Sequence, residues 1–496
     1  MAVSLSLRKF LKWLSGPQVS LLISISLLGL TWVVYQPPFA SVDEPNHAAR
    51  AYTAVNGKLF FPENKDTAAD AMDIVQVPNW VLPYKEPDSP YCFWQRVNIT
   101  ANCSNTDWTN AEIVERPNQF AQYFPTFYGI AGLPSIWLEG QVAYYLMRLF
   151  GLIAVLFVFY ILLREVKDYH HPTLFAAPFI AITPMTISGA GTLAPLALET
   201  VAFAALTLFA YRFLKNGVRL PTGDLLRLLF IQVIALTSRP SGLVWSAILW
   251  LVLVFSLKIS LRKLWRHSKI SIWLILASHL IASFYLYNHR PKVNFRSAGY
   301  EITLFNSMTR GIQTAYEMFN NAVGIFGMDV YIPLIFYYLS FGIFSFLIFN
   351  VLQAKATTLT IKICVAALGA LFLSIHIFAN YYYRDVFANI WIGRYATPLL
   401  ALLMVFVLLL QENRNLIWWF ASFGLTINLL AIWISYLRYS VGFNGGDCCG
   451  ILNRQGDNFQ WFPLGFGPIG LLIASLLITV FFFMALRNAI KLSQNG

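Results

Sequence analysis

Directly after its first long apolar segment, the chain reads Ser41-Val-Asp-Glu-Pro-Asn-His-Ala-Ala-Arg50. Asp43 and Glu44 are adjacent carboxylates, and His47 and Arg50 follow at helical spacing. A carboxylate held at a membrane boundary can act as general base, taking a proton from an incoming hydroxyl. Two neighbouring acids, Asp43 and Glu44, can instead hold a divalent cation such as Mg or Mn with the help of a phosphate oxygen. His47 can orient the base or ligate such an ion. The plainer alternative is that Asp43, ahead of Glu44-Pro45, caps a helix. Capping and catalysis can also coexist in one residue.

Chemistry on a phosphate also needs cations. Arg394 stands at the start of an apolar stretch, with Arg384 and Asp385 shortly before it. A guanidinium can grip a phosphate through paired coplanar donors, which an ammonium cannot; snorkelling or an ion pair with Asp385 is the alternative use. The segment 288–330 carries His289, Arg290, Lys292, Arg296 and Arg310 against Glu301, Glu317 and Asp329. Arg239 and Arg148 are further cations bordering hydrocarbon, and for both an ion pair is the simpler reading.

The elements that must position these groups follow from composition. Of 496 residues, 57% are hydrophobic, 16% aromatic and 12% charged, with a mean hydropathy of +0.59. A soluble domain carries about 25% charged residues, so the chain is expected to be an all-α, polytopic integral membrane protein. Apolar segments at 17–36, 141–163, 172–190, 194–214, 224–238, 241–257, 270–287, 331–352, 358–380, 393–410, 415–437 and 465–486 are read as twelve spans. Basic clusters between Arg164 and His171, Arg212 and Arg227, Lys258 and Lys269, Lys355 and Lys362, Glu412 and Arg414, and Arg487 and Lys491 then all fall on one side. The positive-inside bias makes that side cytoplasmic, together with both termini. Asp43 and Glu44 are thereby expected on the extracytoplasmic face of an inner membrane. So is the 288–330 loop, whose basic surplus runs against the bias; an anionic lipid headgroup would account for it, solvated loop charge being the bland alternative.

The organisation expected is a tail and first span at 1–36, a long extracytoplasmic loop at 37–140, spans at 141–287, the basic loop at 288–330, and spans at 331–496. Residues 119–138 are read as helices lying at the interface, since a span there would invert every later loop. Cys92 and Cys103 share the long loop and could form a disulfide, whereas adjacent Cys448 and Cys449 suit neither a zinc site nor a bond to each other. The net charge of +12 sits in short turns and argues for lipid contact, not nucleic acid. Gly465-Phe-Gly-Pro-Ile-Gly470 fits a dinucleotide fingerprint by letter only, because it opens an apolar span with no βαβ unit.

Four stretches together carry a resemblance. They are Asp43-Glu44-Pro45-Asn46-His47 with Arg50-Ala51-Tyr52; Tyr144-Tyr145-Leu146-Met147-Arg148-Leu149; Phe326-Gly327-Met328-Asp329 with Pro333; and Ile392-Gly393-Arg394-Tyr395-Ala396-Thr397-Pro398. In this order they resemble a bacterial branch of predicted membrane proteins within the GT-C glycosyltransferases, a branch catalogued as a domain of unknown function. The Asp-Glu pair is also distantly similar to protein O-mannosyltransferases. Met328 replaces an aromatic residue of the branch and Ile392 a glutamine. Where the branch often has an Asp or Asn after the third span, the chain has Gly189-Ala-Gly-Thr-Leu-Ala-Pro195, and Glu199, the nearest acid, receives no role.

The resemblance implies a polyprenyl-phosphate-linked sugar as donor and a glycan, lipid or protein hydroxyl as acceptor. Asp43, Glu44 and His47 would be catalytic, and Arg394, Arg290, Arg296 and Arg239 would bind the donor phosphate. Arg50, Arg148, Asp329 and Tyr395 would support them. Members of the superfamily differ in needing a metal, so a divalent cation shared by Asp43 and Glu44 is an optional cofactor and no other is implied. A lipid-linked-saccharide flippase and a non-catalytic subunit of envelope polysaccharide assembly are the competing readings.

Overall fold

Long apolar runs can satisfy their own backbone groups in hydrocarbon only by coiling into helices, and most of the chain does so. The computed structural model describes residues 16–57, 73–83, 91–104, 106–168, 172–215, 221–288, 303–327, 330–382, 393–411, 414–443 and 459–494. Arg290, Arg296, Asp329, Arg384, Asp385, Cys448 and Cys449 lie outside them.

In chain order the helices are α1 (Pro17–Tyr35), α2 (Glu44–Val55), α3 (Pro125–Ala131), α4 (Gly140–Asp168), α5 (Ala177–Ile180), α6 (Pro184–Ala190), α7 (Leu196–Lys215), α8 (Thr222–Thr237) and α9 (Gly242–Ser256). There follow α10 (Leu261–Asn288), α11 (Leu304–Gly324), α12 (Leu334–Gln353), α13 (Leu359–Tyr382), α14 (Thr397–Leu409), α15 (Arg414–Ser440) and α16 (Pro468–Gln494). Among the described residues, 8 of these are long and apolar enough to cross a bilayer: α1, α4, α7, the part of α10 beyond its kink at Ser268, α12, α13, α15 and α16. Two shorter apolar helices, α9 and the stretch Gly393–Leu409 that ends in α14, join them. The protein is thus an all-α polytopic membrane protein.

Two expected spans depart from the pattern: 224–238 forms α8, which is among neither the eight nor the two, and 172–190 is broken. Residues 172–190 do not form a single helix but a 3-10 turn at Pro172–Ala176 followed by α5 and α6. Pro172, Pro178 and Pro184 recur every six residues, and each removes a backbone donor and crowds the turn before it. The pieces nonetheless stay buried, packed against α15 and α1.

The helices sort by burial. In α7, 94% of the apolar window is buried, and α14 is buried along its length, so these two form the axis of the bundle. In α10 the buried share is 17%, in α12 it is 22%, and in α13 and α16 it is 28%, leaving broad apolar faces that only lipid suits. Two of the candidate site residues lie beside this axis: α14 is preceded directly by the turn bearing Arg394, and α7 begins close to Arg239.

The described parts of the long loop after α1 form a cap. Strands β1 (Asp73–Pro78) and β2 (Ile113–Asn118) pair antiparallel, with Asp73 opposite Asn118 and Pro78 opposite Ile113. Cys92 and Cys103 form the disulfide. Arg438, fully buried at the end of α15, donates to the carbonyls of Phe93, Arg96 and Ile99 at 2.7–2.9 Å and ties this loop to the bundle. Residues 119–138 form α3 and a 3-10 turn at Leu133–Ile136, short pieces and not a span. The segment 288–330 contributes α11, which packs on α13 and on the Arg394 turn.

Candidate functional site

The site is built on the turn where α1 gives way to α2. Asp43 occupies the N-cap position of α2 with φ 64°, in the left-handed region, and its side chain makes no capping bond. That backbone conformation costs an L-residue about 1–2 kcal/mol, so something must hold it.

Arg148 of α4 does much of that work. Its guanidinium donates to both oxygens of Glu44 at 2.7 Å. The same group donates to the carbonyls of Val33 and Gln36 at 3.1 and 2.7 Å and of Pro37 at 2.8 Å. All the N–H groups of the fork are thereby used on the α1 exit and the α2 start, with Arg148 and Glu44 both 0% exposed. The backbone N–H of Leu193 adds a bond to Glu44 at 3.2 Å. Glu44 is therefore a clamp residue. Its expected catalytic role, and its share in a cation site with Asp43, do not fit this geometry, because its oxygens face Arg148. Among the described residues no group of three or more His, Cys, Asp or Glu side chains converges on a point. A divalent cation would find one carboxylate where the sequence promised two.

Asp43 faces the other way. Its Oδ2 accepts from Arg394 Nη2 in a close ion pair, and its Oδ1 accepts from the Gln119 amide at 3.2 Å. Gln119 comes from the end of β2, which Asn118 anchors by donating to the Asn46 carbonyl at 2.9 Å. Arg394 lies in the 3-10 turn Gly393–Ala396. A Cβ at Gly393 would collide with the Met318 carbonyl of α11, so glycine lets α11 pack directly on the Arg394 turn.

Around the pair lies a hollow of about 390 Å³, mouth included, lined by Asp43, His47, Phe120, Met185, Arg239, Arg394 and Tyr395, together with Gly189 and Ala194–Leu196. Two guanidinium groups thus face the same space as one carboxylate. Arg239, in the turn between α8 and α9, lies over the Tyr395 ring at 4.4 Å. Behind it, fully buried Glu199 approaches Arg239 Nη1 at 3.6 Å and accepts from the Ser241 hydroxyl at 2.8 Å. Glu199 Oε2 and Arg239 Nη1 are both buried without a hydrogen-bond partner. Glu199, left without a role by the sequence, is thus the counter-charge that keeps Arg239 in place.

His47 lines the hollow as a neutral imidazole. Burial, reinforced by the charges of Arg239 and Arg394, pushes it well below the ordinary histidine range. Its ring stacks on Phe120 at 4.2 Å between centroids, and Nδ1 pairs with the Tyr128 hydroxyl at 2.8 Å. Burial raises the Tyr123 and Tyr128 phenols above their usual value, so both stay protonated. Arg50, on the far turn of α2, donates from Nε and Nη2 to the Tyr123 carbonyl at 3.1 and 2.8 Å and pins this aromatic wall.

Asp43, His47, Arg239, Arg394 and Tyr395 are therefore brought together, Arg50 and Arg148 support them from outside, and Glu44 belongs to the supports. The Phe326-Gly327 pair reaches the same region, because the Phe326 carbonyl accepts from Gln36 at 3.0 Å and its ring lies 5.2 Å from Trp32. Gln119, Phe120, Tyr123, Tyr128 and Glu199 were missed. The aromatic run 119–138 was a visible signal of something ordered there, without indicating which ring faces the acid.

Fold and site together define a polytopic membrane protein with an acid and two arginines gathered in a hollow at one end of the helix bundle. The chain belongs to the family described as predicted membrane protein (DUF2142), whose model matches residues 26–418. That range takes in the whole hollow, its clamp and the axial helices. Neither the curated proteins nor the solved structures contain a match.

Proposed function

We propose that the chain is a GT-C-type glycosyltransferase that moves a sugar from a polyprenyl-phosphate carrier to an acceptor hydroxyl on the extracytoplasmic side of an inner membrane. The reading is carried by one observation: Asp43 and Arg394, 351 positions apart in sequence, meet with Arg239 in a single hollow. An acid and a pair of cations are what inverting transfer from a lipid phosphate needs.

Asp43 takes the proton of the acceptor hydroxyl as its oxygen attacks the anomeric carbon from the face opposite the carrier. The new C–O bond forms as the bond to the phosphate oxygen breaks, and that electron pair leaves with the lipid phosphate. Arg394 and Arg239 receive the charge, in a site where few waters compete. The anomeric configuration inverts. Tyr395, stacked under Arg239, holds the cation in place, and neutral His47 adds no charge to compete with the arginines.

The test is a mass analysis of lipid-linked sugars in cells lacking the chain, complemented with wild type or Asp43→Asn. One polyprenyl-phosphate sugar should accumulate without the chain, be cleared by wild type, and clear about 10²–10⁴-fold more slowly with Asp43→Asn. Clearance at the wild-type rate by that variant, or no accumulating carrier at all, overturns the reading.

A transporter reading has one observation in its favour, the broken stretch Pro172–Ala190 beside the hollow, since discontinuous helices often border transport sites. A carrier-linked sugar that changes leaflet without changing mass would support that alternative.

A further inference from the structure

We propose that the Asp43–Arg394 pair is a latch opened by the donor: an incoming phosphate takes over the Arg394 guanidinium and so frees the Asp43 carboxylate to serve as base. The inference rests on the function proposed above and adds an order to it.

The two arginines of the hollow are held in opposite ways. Arg239 has its counter-charge behind it, in Glu199 of the axial helix, with Ser241 fixing that acid. It is a standing cation that lines the hollow while its Nη1 faces Glu199. Arg394 has its counter-charge in front, and that carboxylate is the group that must later accept a proton. With Gln119 on Oδ1 and Arg394 on Oδ2, each Asp43 oxygen already accepts a hydrogen bond, so a hydroxyl entering the hollow must compete with Arg394 for Oδ2.

A phosphate has the means to displace it. It offers more charge than a carboxylate and several oxygens to a fork of N–H donors, and Arg239 supplies a second contact that Asp43 does not have. Releasing Arg394 does not unravel α2, because the Asp43 side chain takes no part in capping it. The turn itself stays clamped by Arg148 and Glu44. The consequence is an ordered reaction: the base is released only when a leaving group is already seated, so neither water nor acceptor is activated too soon.

The experiment measures binding of farnesyl phosphate to the full chain in lipid nanodiscs. Asp43→Asn and Asp43→Ser are both made, so that the test survives if one does not fold, and each is combined with Arg394→Gln and with Arg239→Gln. If carboxylate and phosphate compete for Arg394, loss of the carboxylate tightens binding about fivefold or more. The gain persists with Arg239→Gln and vanishes with Arg394→Gln. A gain of the same size without Arg394 means that Asp43 acts only through its field, and the latch is wrong; equal binding by wild type and both Asp43 variants is likewise fatal to it. Failure of wild type and every variant to bind the probe overturns the phosphate reading of the site, and the latch with it.

Discussion

Two adjacent acids, Asp43 and Glu44, each meet an arginine from a distant segment, and the two pairs have opposite characters. Glu44 and Arg148 are both 0% exposed, with every donor and both acceptors used. Asp43 and Arg394 are 20% and 10% exposed in their side chains and line a hollow. The first pair spends its chemistry on fixing the backbone, and the second keeps its chemistry accessible. The left-handed turn at Asp43 makes the division, sending one side chain toward the hollow while the next points into the bundle. A third pair, Glu199–Arg239, is intermediate, since its acid is buried but its arginine faces the hollow.

Stability should therefore grade across the three pairs. Glu44→Gln leaves the Arg148 charge buried and unmatched, and should cost about 3–5 kcal/mol, read as a large loss of thermal stability in detergent. Glu199→Gln strands a guanidinium that still has the hollow and Tyr395 beside it, and about 1–3 kcal/mol is expected from the same measurement.

His47 adds a pH dependence. Its folded-state pKa lies well below 6.5, so the unfolded chain binds the proton first as pH falls. Its contribution to stability is complete above about pH 6.5 and is lost below that at up to about 1.4 kcal/mol per pH unit. His47→Gln should flatten the acid limb of a melting-temperature profile below about pH 6.5. An unchanged limb would mean that His47 is not held neutral. Asp43→Asn should cost least, about 1 kcal/mol, because Asp43 is the most exposed of the three acids and the amide oxygen can still accept from Arg394. If it destabilises as much as Glu44→Gln, the division between clamp and working pair is mistaken.

Much of this architecture was legible in the chain. Runs of about twenty apolar residues fix where helices lie, and eleven of the twelve expected segments are single helices or helical stretches at the expected places; the exception is broken by its prolines at 172, 178 and 184. Asp43, His47, Arg239 and Arg394 were also named from residue type and position beside apolar segments, for charge near hydrocarbon always needs a partner or a purpose, whereas Tyr395 came only with the family resemblance. What the letters could not say was which partner each charge would take. Asp43 and Glu44 are equivalent as a string, and only the packing shows Asp43 turned to Arg394 and Glu44 to Arg148. Glu199 looks like any acid in the first turn of a helix until the turn between α8 and α9 brings Arg239 to it across the bundle. Local pattern determines where helices form and which residues are too costly to leave unpaired. The pairing itself depends on contacts between segments tens to hundreds of positions apart, and the packing of α4, α7 and the Arg394 turn around the α1 exit decided it.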